Sequence, residues 1–344
     1  MTTIEDALGV VVVGCGLIGK VRAKQAHVHP RTRLVATADV SEEAARSAAE
    51  PYDALSFRKW QDAVHRDDVD LIVVATPNGN LAEVACAALN AGKHVLVEKP
   101  MGRNLSEANA MKAAADESGR RLKIGFNHRY HPALAEAHRR FSTGQIGPFI
   151  HARVRYGHGG RPGYEKEWRG DRGLAGGGEL TDQGVHVLDL LQWFVGAAPE
   201  EAFGYLQTAV WPLDDLEDNA FALLRWNGGG IASLHTAWTQ WKNLFSFEIF
   251  GANGSLVVDG LGKSYGIETL SVAIRRPEGG IPEQETLSFD GPDESWALEW
   301  DDFVLGVTTA RPFLGEAHEG VEVMRTLDAI YRAAAAGAPV RVRD

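Results

Sequence analysis

Cysteine is scarce in this 344-residue chain. The two present, Cys15 in a glycine-rich turn and Cys86 in a predicted helix, suggest neither a disulfide framework nor a zinc site. Long apolar runs are missing too: none approaches the roughly 20 residues of a membrane span. The opening MTTIEDALGV has no basic start and no long apolar stretch, so neither a signal peptide nor an anchor is expected, and a cytoplasmic location is. Positive charge is short, with 35 Lys and Arg against 46 Asp and Glu, a formal net charge of −11. This argues against a nucleic-acid surface; acidity serves solubility and weakly favours a neutral or cationic ligand. With no repeat and no low-complexity tract, the composition (44% hydrophobic, 24% charged) is that of a globular protein long enough for two domains.

Through Phe126, short apolar strands alternate with helices. GVVVVG, RLVATADV, VDLIVVAT, HVLVEKP and RLKIGF are the strands; GKVRAKQAHV, LAEVACAALNAG and LSEANAMKAAADESG are the helices between them. This alternation predicts a doubly wound parallel sheet covered on both faces. Beyond it the pattern changes. A helix (PALAEAHRRF) and a long strand (GPFIHARVRYGH) precede a glycine-rich loop and one continuous helix, TDQGVHVLDLLQWFVG. Strands with Gly and Asn turns follow, and a helix near AHEGVEVMRTLDAIYRAAAAG closes the chain. The expected architecture is α/β: a dinucleotide-binding domain over 1–126, then a 127–344 domain with a large, mostly antiparallel sheet.

Gly14, Gly16 and Gly19 form G-x-G-x-x-G between a strand and a helix. The first glycine permits the turn, the second lets a pyrophosphate approach the backbone, and the third allows close packing of helix on strand. The helix N-terminus adds free N–H groups and the positive end of its dipole. Leu17 and Ile18 lie inside the same turn. Asp39 ends the second strand, about 20 residues on, where a carboxylate accepts hydrogen bonds from an adenosine ribose and repels a 2′-phosphate. NAD is therefore expected over NADP. Asp39 could instead cap the next helix, although Ser41 suits that role better.

Two other stretches carry chemistry. Glu98, Lys99 and Pro100 end the strand HVLVEKP, at a position that should face the cofactor crevice. Lys99 could hydrogen-bond a substrate hydroxyl, or be half of a solvated loop ion pair. In ELTDQGVHVLDLLQWF, Asp182, His186 and Asp189 are spaced to share a helix face. His186 is a candidate general base for an alcohol proton; the alternative is a buried histidine satisfied by Asp182 or Asp189. Trp168 with Arg169, His158, Trp238 and Trp241 could face a sugar, and the tryptophans could equally pack a core or an interface. His128, His131, His138, His151 and His158 lack ligand spacing, so no metal site is expected.

Taken together, GCGLIG, ATPN, ALNAGKHVLVEKP, GFNHRYHP, WRGDRGLAGGGELTDQGVHVLDLLQWF and FGANGSLVVDG make the chain resemble the Gfo/Idh/MocA oxidoreductases over essentially its whole length. The resemblance implies a Rossmann domain followed by an α/β domain. It implies Lys99 as the catalytic lysine and Asp182 with His186 as the acid–base pair. It also implies cofactor contacts at Thr76, Pro77, Asn78 and Glu98. Leu81 departs from the pattern, standing where many members carry histidine. RYGHGGRPGYEKEWR is similar to a subgroup associated with nucleotide-sugar and glycoside modification.

The expected activity is NAD-dependent oxidation of a secondary ring hydroxyl, with C3 the first candidate, in a nucleotide sugar or a glycosylated natural product such as an aminoglycoside. Lys99, His158, Trp168, Arg169, Asp182, His186 and Trp238 are its expected substrate contacts, with Asp189 behind them. A keto-sugar or imine reductase, an inositol dehydrogenase and a non-catalytic NAD-binding regulator are the alternatives. Only one helix layer is available to the second sheet, so a homodimer or homotetramer built through that sheet is expected.

Overall fold

The computed structural model describes residues 7–213 and 215–343. The expectation that no signal peptide is present rests partly on residues 1–6, outside the described residues. The chain divides into two compact units. One includes the chain up to Asn127 together with Trp296–Val321; the other comprises His128–Ser295 and the chain from Glu322.

In the first unit, β1 (Leu8–Val13), α1 (Leu17–Val28), β2 (Thr32–Ala38), α2 (Glu42–Ala49) and β3 (Leu55–Phe57) come first. Then follow α3 (Trp60–Val64), β4 (Leu71–Val74), α4 (Asn78–Asn90), β5 (His94–Glu98), α5 (Leu105–Ser118) and β6 (Leu122–Gly125). The six strands pair in parallel in the order β3-β2-β1-β4-β5-β6. Strand order reverses between β1 and β4, the place where such sheets bind ligands at the carboxyl ends of their strands. Gly14, Thr76 and Lys99 all lie at those ends.

Helix covers both faces of a parallel sheet, so its strands are apolar throughout. Val10 to Val13 are at most 2% exposed. Burying one such side chain stabilises the fold by about 1.5–3 kcal/mol. The chain returns to this core late: Trp300, Phe303, Val304 and Phe313 pack against Val10, Val12, Ala23, Ala26 and Leu96. The Trp300 indole N–H donates to Thr32 Oγ1 at 3.3 Å. This return explains why the boundary is crossed more than once.

The second unit holds α6 (Pro132–Ser142), β7 (Phe149–Gly157), α7 (Arg172–Ala175), α8 (Val185–Val195), β8 (Glu201–Gln207), β9 (Asn219–Arg225) and β10 (Ile231–Ala237). β11 (Leu244–Gly251), β12 (Gly254–Asp259), β13 (Glu268–Ile274) and β14 (Glu283–Phe289) complete its hairpins. The helices α9 (Ser295–Thr309) and α10 (Ala317–Ala336) and the short β15 (Val340–Arg341) end the described chain. Nine strands form one sheet, β14-β13-β12-β11-β7-β10-β9-β8-β15, in which only β7 and β10 pair in parallel. α6 and α8 pack on one face. The alternating side chains of β8 to β10 leave Tyr205, Phe221, Leu223 and Ile231 exposed on the other.

The helix expected without interruption from Thr181 begins differently. Leu180–Gly184 is a π turn, and only Val185 onward is α-helical. Such wide turns are frequent at functional sites. Gly177 and Gly178 admit the crowding before it: a Cβ would lie 2.1 Å from Thr181 Oγ1 and 2.1 Å from the Glu217 carbonyl oxygen, respectively. β13, β14 and α9 escape the sequence pattern; β14 is a largely exposed polar edge strand without an apolar stripe.

Candidate active site

The glycine turn divides into structural and open positions. Gly14 has φ +90°, and a Cβ there would lie 2.5 Å from the Ala75 carbonyl. A Cβ on Gly19 would come within 1.8 Å of the Gly14 carbonyl oxygen, so α1 can pass this close to its strand only with glycine there. Around Gly16 no atom lies within 4 Å of a Cβ position. Gly16 starts α1 with no side-chain cap and no acidic residue in the first turn. Leu17 is 81% exposed and Ile18 half-buried beside it.

Asp39 is held at the end of β2 by two backbone amides, Cys15 N–H to Oδ2 and Ser41 N–H to Oδ1, both at 2.8 Å. The α2 cap is Ser41, whose Oγ accepts from Ala44 N–H at 3.2 Å. Burial, then the neighbouring Asp39, pushes the Cys15 thiol up to about 12, so it is not a reactive nucleophile. After β4, Pro77 leads into α4, Asn78 is buried, and the Thr76 hydroxyl is buried with no hydrogen-bond partner in the protein. An open glycine, an uncapped helix N-terminus and that hydroxyl fit a dinucleotide cofactor.

At the end of β5, Lys99 is half-buried and the Lys99–Pro100 peptide is cis. Glu98, expected against the cofactor, is engaged by Arg22 of α1. Arg22 NH2 lies 2.6 Å from Glu98 Oε1, while its NH1 lies 2.6 Å from Glu299 Oε2, and all three side chains are almost wholly buried. Burial opposes the Arg22 charge, but Glu299 and Glu98 outweigh it and raise its pKa. The arrangement ties the helix of the glycine turn to the strand that presents Lys99. Leu81, the departure from the family pattern, is fully buried in α4.

In the second unit the π turn presents Asp182, and the first turn of α8 presents His186. Asp182 Oδ2 accepts from Arg169 Nε at 3.1 Å. Arg169 stacks over Trp168, its guanidinium carbon 4.4 Å from the ring centroid. Burial opposes the Arg169 charge and Asp182 outweighs it. Burial holds the His158 imidazole below its usual range despite Asp182 nearby, and pushes the Tyr164 phenol up. Asp182, Arg169, Trp168, His158 and Tyr164 therefore make one polar–aromatic cluster.

His186, 5% exposed, stacks on His128 with ring centroids 3.7 Å apart and planes 14° from parallel. Asp189 does not share a free face with Asp182 and His186: it is wholly buried and chelated by Arg129, NH2 to Oδ1 at 2.6 Å and Nε to Oδ2 at 3.0 Å. Behind the π turn, Glu217 accepts from Gly178 N–H, Leu180 N–H and the Tyr331 hydroxyl, at 3.2, 3.0 and 2.7 Å.

Trp238 corrects an expectation. It is 0% exposed in a core cluster with Tyr164, Leu213 and Leu216, so it has no face for a ligand; it lies just past the end of β10. Trp241, three residues on, is 72% exposed. Sequence reasoning missed His128, Arg129, Tyr156, Glu217 and Tyr331. The motif GFNHRYHP marked the first two as unusual, but their partners lie far along the chain. Among the described residues, no group of three or more His, Cys, Asp or Glu could hold a metal ion, and no helix is long and apolar enough to cross a membrane.

Comparison with known proteins extends the likeness over both units. The model of the GFO/IDH/MocA oxidoreductase family, NAD-binding Rossmann fold, matches residues 8–126; that of the GFO/IDH/MocA C-terminal domain matches 134–257. A 1,5-anhydro-D-fructose reductase of Ensifer adhaerens is 34% identical over 245 residues, 70% of this chain and 71% of that protein. Levoglucosan dehydrogenase in complex with NADH and levoglucosan is 25% identical and superposes with a TM-score of 0.89, covering 98% of this chain and 100% of that one. GenD2 from gentamicin A biosynthesis, in complex with NAD, is 27% identical with a TM-score of 0.85, covering 99% of this chain and 97% of that one.

Proposed function

The chain belongs to the Gfo/Idh/MocA oxidoreductase family and takes NAD as its cofactor, and from that premise we propose that it oxidises a secondary ring hydroxyl of a pyranose to a ketone. The pyranose is part of a nucleotide sugar or a glycosylated natural product such as an aminoglycoside, and C3 is the first position to test. Levoglucosan in one similar enzyme and gentamicin A biosynthesis for another support a sugar and an aminoglycoside, respectively. The net charge of −11 suits a cationic ligand.

One observation carries the reading: an acid and a nearly buried imidazole, Asp182 and His186, on a π turn and the helix it opens, in a chain that also has the open Gly16 turn. A regulator that merely binds NAD needs the turn and not the acid–imidazole set. Bound NAD supplies the hydride acceptor. His186 takes the hydroxyl proton. Lys99, assigned from its motif alone, donates a hydrogen bond to a substrate oxygen and polarises it. Asp182, oriented by Arg169, accepts from a neighbouring hydroxyl.

The test is a screen for NADH formation over pyranosides, nucleotide sugars, aminoglycosides and polyols, followed by two variants. Lys99→Met and His186→Ala should each lower turnover by on the order of 10²-fold or more. NAD affinity should change by less than about tenfold, ~1.4 kcal/mol. Wild-type turnover in both variants would end the assigned roles, and tight NAD binding without turnover on any alcohol or ketone would favour the regulator. The Ensifer adhaerens relative is named a reductase, which favours a second reading: the same chemistry run toward the alcohol. Tyr205, Phe221, Leu223 and Ile231 on the uncovered sheet face support a homodimer or homotetramer. A single monomeric species in sedimentation would count against it.

A further inference from the structure

His186 is one turn before Asp189 on α8, and Arg129 is adjacent to His128 in sequence. The buried Arg129–Asp189 chelate therefore fixes the segment carrying His128 against α8, and the imidazole stack sits beside this clamp. His128 is held from a second side, its Nε2 lying 3.2 Å from the Tyr156 hydroxyl on β7. His131, itself 2.7 Å from the Glu268 carboxylate, meets the His128 ring edge-on. Histidine χ2 is a broad, two-fold torsion. A base whose ring swings about it presents the correct nitrogen to a hydroxyl only part of the time.

We propose that His128 is a positioning residue for His186: its ring, anchored by Tyr156 and by the neighbouring Arg129–Asp189 pair, fixes the plane of the His186 imidazole. The proposal rests on His186 being the proton acceptor. The flat face of His128 restrains His186 from turning while leaving its ring edge, where both nitrogens lie, uncovered by the stack. Around the His186 ring, the His128 and Tyr156 rings have centroids 3.7 and 6.5 Å away, and Asp182 and Asp189 lie about one turn before and after it in the chain.

The test uses the full chain saturated with NAD alone and labelled in its histidine rings. The His186 resonances are identified by their loss in His186→Ala and followed with pH by NMR. Wild type and His128→Phe, which keeps a flat ring, should show one sharp set of His186 ring signals and similar titration midpoints. His128→Ala should broaden or split those signals and move the midpoint by about half a pH unit or more. Melting curves identify any variant that fails to fold, and His128→Phe then decides alone by the sharpness of its His186 signals. Unchanged His186 signals and titration in a folded His128→Ala variant, or signals in His128→Phe as broad as those expected of alanine, overturn the proposal. Failure of the base assignment appears separately, as turnover retained by His186→Ala.

Discussion

The backbone amide of Cys15 donates to Asp39 Oδ2 at 2.8 Å, joining residues 24 apart in sequence. The glycine turn thus orients the carboxylate that we propose sorts ribose from ribose phosphate. Both of its oxygens accept from backbone amides, which fixes the direction of the Asp39 side chain. NAD should therefore bind much more tightly than NADP. Asp39→Ser combined with Val40→Arg, the latter at a position already 84% exposed, should weaken NAD by about tenfold or more and improve NADP. Isothermal titration of both cofactors decides the matter, and equal wild-type affinities would show the carboxylate to be uninvolved.

Two glycines of the same turn should fail in different ways. Gly16→Ala meets no neighbour, so stability should stay within about 0.5 kcal/mol while NAD affinity drops by about tenfold or more. Gly19→Ala drives a methyl against the Gly14 carbonyl and should cost at least about 1–3 kcal/mol of stability. Denaturant melts read alongside NAD titrations separate the two. Identical behaviour would mean that the helix shifts to absorb the difference.

Leu81, where many members of the family carry histidine, is a core position here, so Leu81→Ala should act on stability. The side chain is 0% exposed, so truncation leaves a cavity and should cost about 2–5 kcal/mol. Thermal melting is the measurement. An unchanged midpoint accompanied by weaker NAD binding would restore the cofactor-side role.

Glu217 gives a pH dependence of known sign. Burial raises its carboxyl pKa above the usual 4.5, although hydrogen bonds from Tyr331, Leu180 and Gly178 work the other way. The folded chain then holds this proton to higher pH than the unfolded one, and stability falls as pH rises from about 4.5 toward the raised value. Glu217→Gln removes that slope. Melting temperatures measured across this range should move in the variant's favour as pH increases. A constant difference between variant and wild type would mean that the carboxylate is already ionised in the fold.

The parallel sheet, the glycine turn and Asp39 were legible in the sequence because each is a local matter. Strand and helix periods, a positive φ at Gly14 and an acid at a strand end leave marks within a few tens of residues. Lys99, Asp182 and His186 are proposed as site residues on the strength of their motifs. Glu98 shows the limit of such reasoning. Its motif position suggests a cofactor contact, yet its carboxylate meets Arg22, 76 residues earlier.

The sequence by itself determined which residue types are available and which local conformations they favour. Tertiary structure alone decided whom they meet. Asp189 sits one turn from His186 on the same helix, and the group that chelates it, Arg129, comes from 60 residues upstream. Trp238 had the chemistry of a sugar platform, and packing against Tyr164, Leu213 and Leu216 made it core. Trp300 and Phe303 carry no mark of the β1 sheet they complete. Burial and charge pairing are satisfied by whatever the folded chain brings within contact, so groups far apart in sequence acquire their roles only when packing brings them together.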